Sequence, residues 1–293
     1  MDIVNFPDLQ QAFSLKPFCT FNVGGLADYY YEAKDLSLLP ELLRLAHAEN
    51  IPVFIFGGGS NVLFLDEGFR GLVIRVTASN VQINGTQLIA DAGTKWTALI
   101  RAMHEGNLTG LESFNGLPGT LGGAVAGNAG CFGTEIKDVF SSAKILDQTT
   151  GNIREVGMDY FQFSYRWSMI KVSEDVVLSV TLQLKNLEGE RPEQGSLQAR
   201  LAKQPPGKSS GSFFKNPSPD KPAGWLIDQC GLKGFQIGGA QISEKHANFF
   251  LNHGKATSSD ILALRDEAKK QVQIQFDIEL EEEVVIPQIP ILK

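Results

Sequence analysis

Apolar residues in the first third of the chain follow two spacings, which predict one helix and two strands. Apolar positions at three- and four-residue intervals predict a helix over residues 35–50, with Asp35 placed to cap its start. The continuous apolar segments 53–56 and 72–76 predict buried strands. No helical pattern lies between these strands, so the first of them leads into a loop.

The middle of the chain combines hairpin, helix and strand patterns. Asn84-Gly85 separates two short alternating segments and predicts a tight β-hairpin. Residues 95–105 show a helical pattern, and strands are predicted near residues 143–147 and 175–184. The polar segment 186–195, which contains glycine and proline, predicts a domain boundary.

The last third of the chain again mixes helices and strands. The predicted elements are a short helix at 223–229, strands near 236–243 and 247–251, a helix at 258–272 and a terminal strand near 278–286. Thr257 and Asp260 have the spacing of a capping box at the start of the longer helix. Because strands and helices do not alternate strictly, the sequence predicts α+β domains.

Composition and charge argue against several classes of function. The formal net charge of −7 disfavours nucleic-acid binding, which depends on a basic surface. No apolar run approaches the roughly 18 residues of a membrane helix, and the N-terminus lacks a signal-peptide pattern, so we expect a cytoplasmic protein without a membrane partner. The cysteines and histidines lack metal-ligand spacing, and no metal site is predicted.

The segment Gly57, Gly58, Gly59, Ser60 and Asn61 follows the strand predicted at residues 53–56 directly. Glycine allows a backbone to approach a ligand closely, and the amides of such a loop can face a phosphate group. The serine and asparagine side chains add further donors. This loop is the first candidate binding element.

Two common phosphate-binding motifs do not fit this chain. The Rossmann fingerprint requires a third glycine where Val62 stands, and a helix directly afterwards. A Walker A motif ending at residues 207–209 would need glycine in place of Ala202. Two interpretations of Gly57–Asn61 remain, namely a loop that holds the pyrophosphate of a flavin and a tight turn without a ligand.

A second glycine-rich segment, residues 116–130, favours the flavin interpretation. Small residues dominate it, and an absence of bulk over such a length suits a wall against a long, flat cofactor. The candidate flavin-binding residues in this segment are Gly119, Thr120, Gly122, Gly123 and Asn128.

Several motifs taken together resemble the UDP-N-acetylenolpyruvoylglucosamine reductases, which are flavoenzymes of bacterial peptidoglycan precursor synthesis. The two glycine segments and residues 21–25 alone indicate only the larger family typified by p-cresol methylhydroxylase and vanillyl-alcohol oxidase. Residues 211–217, 231–234, 237–240 and 280–284 narrow the resemblance to the reductases. The resemblance covers nearly the whole chain, from Phe18 to Pro287.

The resemblance implies an α+β fold with a two-part FAD-binding domain of the vanillyl-alcohol oxidase type and a smaller C-terminal α+β substrate domain. We expect the FAD-binding region over residues 1–187, in two subdomains of residues 1–76 and 77–187. The substrate domain is expected over residues 200–277. Residues 278–293 are expected to form a strand that returns a catalytic glutamate to the first subdomain.

The resemblance also implies a reaction and the residues that perform it. NADPH reduces a non-covalently bound FAD, whose N5 passes hydride to the enolpyruvyl group of the UDP-sugar to give UDP-N-acetylmuramate. Ser212 would supply the proton, assisted by Lys215 or water, while Arg166 and a protonated Glu283 would stabilise negative charge on the substrate. Lys215, Asn216 and His246 are candidate substrate-binding residues.

The chain departs from the family pattern in two motifs and lacks one insertion. Glu282 stands where the family often has proline, so three consecutive glutamates leave the register of Glu283 open by one residue. Trp167 follows Arg166 where aspartate is common, which alters the surroundings of the arginine. The interval between Arg166 and Ser212 is too short for the additional substrate loop of the long form, so the chain resembles the short form.

Two other functions fit the flavin loops without the C-terminal motifs. One is an FAD-linked oxidase of an alcohol or phenol, which would need neither Ser212 nor Glu283. The other is a non-enzymatic nucleotide-binding protein on the same scaffold. Bound flavin would count against the non-enzymatic protein, and reoxidation of the flavin by oxygen only would favour the oxidase.

Overall fold

The alternating segments of the sequence form short strands, and the helical patterns form α-helices. The computed structural model describes residues 2–191, 202 and 204–287. Its strands are Gln10–Ser14 (β1), Leu26–Ala33 (β2), Val53–Phe56 (β3), Phe69–Val76 (β4), Val81–Asn84 (β5), Gln87–Asp91 (β6), Leu108–Thr109 (β7), Gly130–Cys131 (β8), Thr134–Glu135 (β9), Phe140–Asp147 (β10), Ile153–Gly157 (β11), Asp175–Gln183 (β12), Lys185–Asn186 (β13), Gln236–Ile237 (β14), Ala240–Ile242 (β15) and Phe250–Asn252 (β16).

The helices lie between these strands and towards the end of the chain. The α-helices are Leu39–Ala48 (α1), Trp96–Glu105 (α2), Leu121–Ala126 (α3), Met158–Phe161 (α4), Ala223–Gln229 (α5) and Ser258–Phe276 (α6). Single turns of 3-10 helix occur at Ile3–Asn5, Lys16–Phe18, Leu36–Leu38, Glu112–Phe114, Ile136–Asp138 and Met169–Lys171. No helix in the described ranges is long and apolar enough to cross a membrane.

Two larger sheets organise the strands of the first two thirds of the chain. One has the order β1-β2-β4-β3, with β3 parallel to β4. The other has the order β11-β10-β12-β6-β5 and is antiparallel throughout. The predicted hairpin at Asn84-Gly85 is confirmed, because it joins β5 to β6 and Gly85 has the positive φ of +59° that this turn favours.

Contacts between Cα atoms divide the chain into two compact units. The first is drawn from residues 1–11, 29–58 and 71–200, and the second from residues 12–28, 59–70 and 201–293. This grouping differs from the domain ranges expected from the sequence, because segments 12–28 and 59–70 belong with the C-terminal part. The mixture of helices with antiparallel and parallel strands confirms the predicted α+β class.

Two hydrophobic cores lie within the described residues of the first unit. In one, α2 and α3 pack against the five-stranded sheet and bury apolar residues such as Trp96, Leu121 and Val180. In the other, α1 packs its leucines against residues of β2 and β4, including Tyr31 and Leu72. Burial of these side chains supplies the main driving force for folding of the unit.

The second unit is organised around α6. This helix buries Ile261, Leu264, Ala268 and Val272 along one face, and it contacts α5, β14 and β15. The predicted capping box is confirmed, since the Thr257 side chain accepts from Asp260 N and the Asp260 side chain accepts from Thr257 N. The helix runs to Phe276, beyond the predicted end at residue 272.

Several strand predictions need correction. The strand predicted near 236–243 is a hairpin of β14 and β15, because Gly238 adopts φ +52° and turns the chain. The segment predicted as a terminal strand near 278–286 contains only isolated bridges at Glu282 and Val285. The strands β1, β2 and β11 were not predicted.

Candidate active site

The loop after β3 presents a series of backbone amides without protein acceptors. Within the described part of the chain, the amide nitrogens of Gly57, Gly58, Gly59, Ser60 and Asn61 donate no hydrogen bond. No helix follows the loop, in agreement with the sequence. Because buried and half-buried backbone amides are nearly always paired, consecutive unpaired amides indicate a site for an anionic ligand.

The two glycine-rich segments meet in the first unit. A methyl group on Gly57 would overlap Thr120 Oγ1, and one on Gly58 would lie 2.7 Å from the backbone of Gly119. The two backbones therefore approach more closely than any side chain would allow. This approach places the unpaired amides of Gly57 and Gly58 beside those of Gly119 and Thr120, which also lack acceptors in the described ranges.

The start of α3 continues this surface. Gly122 packs against Ala92, where a methyl group would lie 2.8 Å from Ala92 Cβ, whereas Gly123 has no neighbour closer than 3.7 Å. Gly122 is therefore required for packing, and Gly123 leaves open space. The buried hydroxyl of Thr94 has no hydrogen-bond partner among the described residues, and the Thr94 carbonyl accepts from Leu121 N at the helix start. Unmet polar groups and glycine surfaces fit a polar cofactor such as FAD.

Gly59 is fixed by a different contact, in the second unit. It has φ +64°, and a methyl group there would overlap the carbonyl oxygen of Phe18. The Gly59 carbonyl accepts from Thr20 N at 3.1 Å. Only glycine fits this position, for reasons of both backbone conformation and space.

Asn61 links the loop to the C-terminal segment of the second unit. Its Nδ2 donates to Glu283 O at 2.9 Å, and its carbonyl accepts from Val285 N at 3.0 Å. Leu63 N donates to Val285 O at 2.9 Å. The side chain expected to contact the flavin therefore also holds the backbone that carries Glu283.

Ser212 and Glu283 lie on adjacent segments of the second unit. Glu283 N donates to Phe213 O at 2.8 Å, and Phe213 N donates to Asn248 O at 2.7 Å. The segment carrying Ser212 is thus held between residues 248–249 on one side and residues 281–284 on the other. The Ser212 hydroxyl makes no hydrogen bond within the described residues, so it is available to a substrate.

The three consecutive glutamates differ in their surroundings. The Glu281 carboxylate pairs with the Lys215 ammonium, and the Glu282 carboxylate pairs with Lys269 at 3.2 Å and with Arg265 at 3.7 Å. The backbone of Glu283 lies beside Phe213, to whose carbonyl Glu283 N donates. The choice of Glu283 as the functional carboxylate stays a prediction.

Arg166 lies in the first unit, on a tight turn after α4. Its φ is +55°, and its Nη2 donates to Gly130 O at 3.2 Å. The guanidinium carbon lies 5.1 Å from the centre of the Tyr165 ring, within the range of a cation–π interaction. Trp167 closes the turn through hydrogen bonds with Ser164.

Asn128, expected to contact the flavin, is fully buried in the same unit. Its Nδ2 donates to Ser164 O at 2.9 Å and to Glu135 Oε2 at 3.1 Å. Its Oδ1 accepts from Lys137 N at 3.2 Å. Both donors of the carboxamide are used by the protein, which leaves none for a cofactor.

Comparison with known proteins connects this geometry to a family. Residues 202–287 match the family model described as UDP-N-acetylenolpyruvoylglucosamine reductase, C-terminal domain, and residues 27–157 match the one described as FAD binding domain. The chain is 39% identical over 294 residues to the UDP-N-acetylenolpyruvoylglucosamine reductase of Clostridioides difficile, covering 98% of this chain and 95% of that protein. The chain belongs to this reductase family.

Other relatives agree with this placement. The reductase of a Synechococcus species is 43% identical over 285 residues, covering 95% of this chain and 91% of that protein. A crystal structure of UDP-N-acetylenolpyruvylglucosamine reductase from Thermus caldophilus is similar with a TM-score of 0.78 and 32% identity, covering 96% of this chain and 98% of that chain. The family inferred from the sequence motifs, its fold and its FAD-binding domain are confirmed.

The candidate substrate residues of the reductase occupy different environments in the second unit. Lys215 forms an ion pair with Glu281, and its side chain is only 15% exposed. The Asn216 side chain accepts from Ala223 N at 3.1 Å, at the start of α5. A role in binding the substrate stays a prediction for both residues.

His246 is a half-buried residue in the turn before β16. Its Nδ1 accepts from Asn248 N at 3.3 Å, and its ring lies 4.8 Å from that of Phe249. Burial lowers the pKa of His246 from its usual 6.5, and the nearby Lys233 charge lowers it further. A neutral ring suits the acceptor role of Nδ1, and a role of His246 in binding the substrate of the reductase stays a prediction.

Protonation of His246 is expected to destabilise the protein below about pH 6.5. Because the folded-state pKa is lowered, the unfolded chain binds the proton more readily, and stability falls as the pH drops through this region. His246→Gln should reduce this pH dependence in thermal unfolding measured between pH 5 and 8. His253→Gln, at an exposed histidine that contacts Gln241, is the matched control and should retain it. Identical pH profiles for wild type and His246→Gln would contradict the expectation.

Asn248 is important for the site and was not predicted from the sequence. Its buried carboxamide accepts from Phe214 N at 2.9 Å and donates to Phe214 O at 2.8 Å, directly between Ser212 and Lys215. A single polar residue within the apolar segment Ala247–Leu251 was the available signal. Buried amides in such positions nearly always bond to a defined partner.

Proposed function

We propose that this chain reduces UDP-N-acetylenolpyruvoylglucosamine to UDP-N-acetylmuramate, using FAD as cofactor and NADPH as reductant. The observation that carries the proposal is the pairing of the Ser212 and Glu283 segments, in which an available hydroxyl lies on a segment beside the one that carries the carboxylate. Membership of the reductase family supports the choice of substrate. The enzyme would act in the cytoplasm, in the synthesis of peptidoglycan precursors.

The unpaired amides of Gly57, Gly58, Gly119 and Thr120, which lie together in the first unit, would hold the diphosphate of FAD. We expect the amides of Gly59, Ser60 and Asn61 to contribute as the continuation of the same loop. Ser60 would add a hydroxyl donor, while Gly123 leaves room for the cofactor. When bound, FAD supplies the hydride for the enolpyruvyl group. The glycine segments would bind and orient FAD through backbone amides. These amides are already fixed in position, so they need little reorganisation when the phosphates bind.

The polar residues of the proposed site act on the substrate. Ser212 would hold a proton at its hydroxyl and donate it to the substrate carbon. Arg166 and Glu283 would stabilise the negative charge that develops on the substrate carboxylate. Lys215, which forms an ion pair with Glu281, would contribute to binding the substrate diphosphate.

Two anaerobic half-reactions test the proposed function. Purified protein should show a flavin absorbance spectrum that bleaches with NADPH and returns on addition of UDP-N-acetylenolpyruvoylglucosamine. Return of the spectrum only on admission of oxygen would favour an oxidase and contradict the proposal. Colourless protein that cannot take up FAD would contradict the flavin site itself.

Paired substitutions test the register of the glutamates. Glu283→Gln should slow reoxidation by the substrate by about 10²-fold or more, because it alters a group at the developing charge. Glu282→Gln, which removes a partly exposed ion pair with Lys269, should cost under about 1 kcal/mol of stability and leave reoxidation unchanged. Single-turnover kinetics and thermal unfolding measure these effects. If Glu282→Gln slows reoxidation and Glu283→Gln does not, the functional carboxylate is Glu282.

A further inference from the structure

The backbone of Arg166 adopts a conformation that its residue type disfavours. Ser164 and Trp167 exchange two backbone hydrogen bonds, of 3.1 and 3.2 Å, and Arg166 is the second central residue of the turn that they close. Its φ of +55° is typical of glycine or asparagine and costs about 1–2 kcal/mol for other residues. The surrounding structure must therefore hold this turn in place.

Asn128 is the residue that holds the turn. Its Nδ2 donates to the carbonyl of Ser164, the residue that opens the turn, at 2.9 Å. The second Nδ2 hydrogen bond runs to Glu135 Oε2 at 3.1 Å, and Oδ1 receives Lys137 N at 3.2 Å. Asn128 itself has φ +40°, which asparagine tolerates better than most residues. A fully buried carboxamide with these three bonds has one fixed orientation.

The other end of Arg166 rests on the same frame. Its Nη2 donates to the carbonyl of Gly130, and Gly130 pairs with Glu135 across the β8–β9 ladder. A methyl group on Gly130 would lie 2.9 Å from Glu135 Cγ and 3.2 Å from Arg166 Nη1. Glycine at this position therefore lets the guanidinium lie directly against the backbone.

We propose that Asn128 is a positioning residue for Arg166 and that its side chain does not bind the flavin. Through its hydrogen bond to Ser164, Asn128 fixes the backbone of Arg166. Through its hydrogen bond to Glu135, it fixes the β8–β9 ladder whose Gly130 carbonyl accepts from the guanidinium. This inference rests on the proposed function and deepens it. It explains what holds the Arg166 guanidinium in the position where it would meet the substrate carboxylate. Misplacement of such a group by about 1 Å can cost about 10²-fold in rate.

Asn128→Asp tests the proposal with little change in shape. Aspartate tolerates the positive φ, keeps an acceptor for Lys137 N, and loses both donors. The new carboxylate faces the Ser164 carbonyl and the Glu135 carboxylate, which repel it. Reoxidation of the reduced holoenzyme by the UDP-sugar should slow by about 10-fold to 100-fold, whereas FAD affinity and reduction by NADPH should change by less than about 2-fold.

Two further variants separate positioning from general destabilisation. In an Arg166→Lys background, Asn128→Asp should slow reoxidation by less than about 2-fold more, because the residue that it positions is already gone. Glu135→Gln should partly restore the rate of Asn128→Asp, since the new carboxamide can donate to the new carboxylate. Asn107→Asp, at an exposed asparagine with φ +52°, is the matched control and should leave all rates unchanged.

A readout without substrate keeps this inference separate from the proposed function. In ¹⁵N spectra of FAD-loaded protein, the guanidinium resonance that disappears in Arg166→Lys should shift or broaden in Asn128→Asp and stay in place in Asn107→Asp. An unchanged resonance, additive losses in the double variant, or a loss of FAD affinity in Asn128→Asp would each overturn the positioning role. If wild-type flavin is not reoxidised by the UDP-sugar, the proposed function fails, and the resonance still decides the role of Asn128.

Discussion

Ser212→Ala is expected to slow reoxidation of the flavin by the UDP-sugar by a factor of about 10²–10⁴, the usual contribution of a general acid. Reduction of the flavin by NADPH should be almost unchanged, because that step needs no proton from Ser212. The Ser212 hydroxyl makes no hydrogen bond within the described residues, so its loss should not disturb the fold. Anaerobic stopped-flow measurements of the two half-reactions give both rates.

Ser210→Ala is the matched control for this change. The Ser210 hydroxyl is buried and contacts Thr20 Oγ1 at 3.0 Å, so its removal should lower the melting temperature and leave the rate of reoxidation largely intact. Equal losses in the two half-reactions of Ser212→Ala would show that the serine serves the flavin site in general and would refute its role as proton donor.

Gly59→Ala is expected to abolish tight FAD binding and to destabilise the protein. The substitution combines a left-handed backbone, which costs about 1–2 kcal/mol for alanine, with direct overlap of the new methyl group and the Phe18 carbonyl. The Phe18 carbonyl is a backbone group, which cannot rotate aside as a flexible side chain could. The loop of residues 57–61 must therefore shift, and its amides no longer point in a common direction. FAD titration and thermal unfolding measure the two effects.

Gly85→Ala separates the two causes. Gly85 has a nearly identical φ of +59°, but nothing lies within 4 Å of the position that a methyl group would occupy. Gly85→Ala should lose only the stability that a left-handed backbone costs alanine, and it should bind FAD as the wild type does. If Gly59→Ala and Gly85→Ala lose the same stability and both keep the flavin, the contact with Phe18 has no importance for the site.

Elements with strong local signals could be predicted from the sequence. The hairpin at Asn84-Gly85, the helix at α2, the short helix at α5 and the capping box of α6 all depend on residues close together in the chain. In the hairpin and in α6, the turn or cap residues agree with the periodicity around them. Agreement between local signals of this kind makes a prediction reliable.

Elements that depend on distant partners were harder to predict. The strand predicted near 236–243 is divided at Gly238, where a methyl group would overlap the Asp260 carboxylate. A terminal strand was predicted near residues 278–286, yet this segment pairs only at isolated positions, with Val62 and with Phe214. Neither partner is visible in the local pattern, because both lie far away in sequence.

The sequence by itself determined the glycine loop of residues 57–61, the absence of Rossmann and Walker motifs, and, through its motifs, the reductase family. Glycines and short motifs carry this information locally, since backbone freedom and phosphate binding need only a few neighbouring residues. Only the tertiary structure decided that Gly59 lies against Phe18, that Asn248 holds the segment of Ser212, and that Asn128 donates to the turn of Arg166 and to Glu135. A carboxamide looks the same in sequence whether it faces a ligand or a backbone carbonyl, and its partner is chosen by the fold.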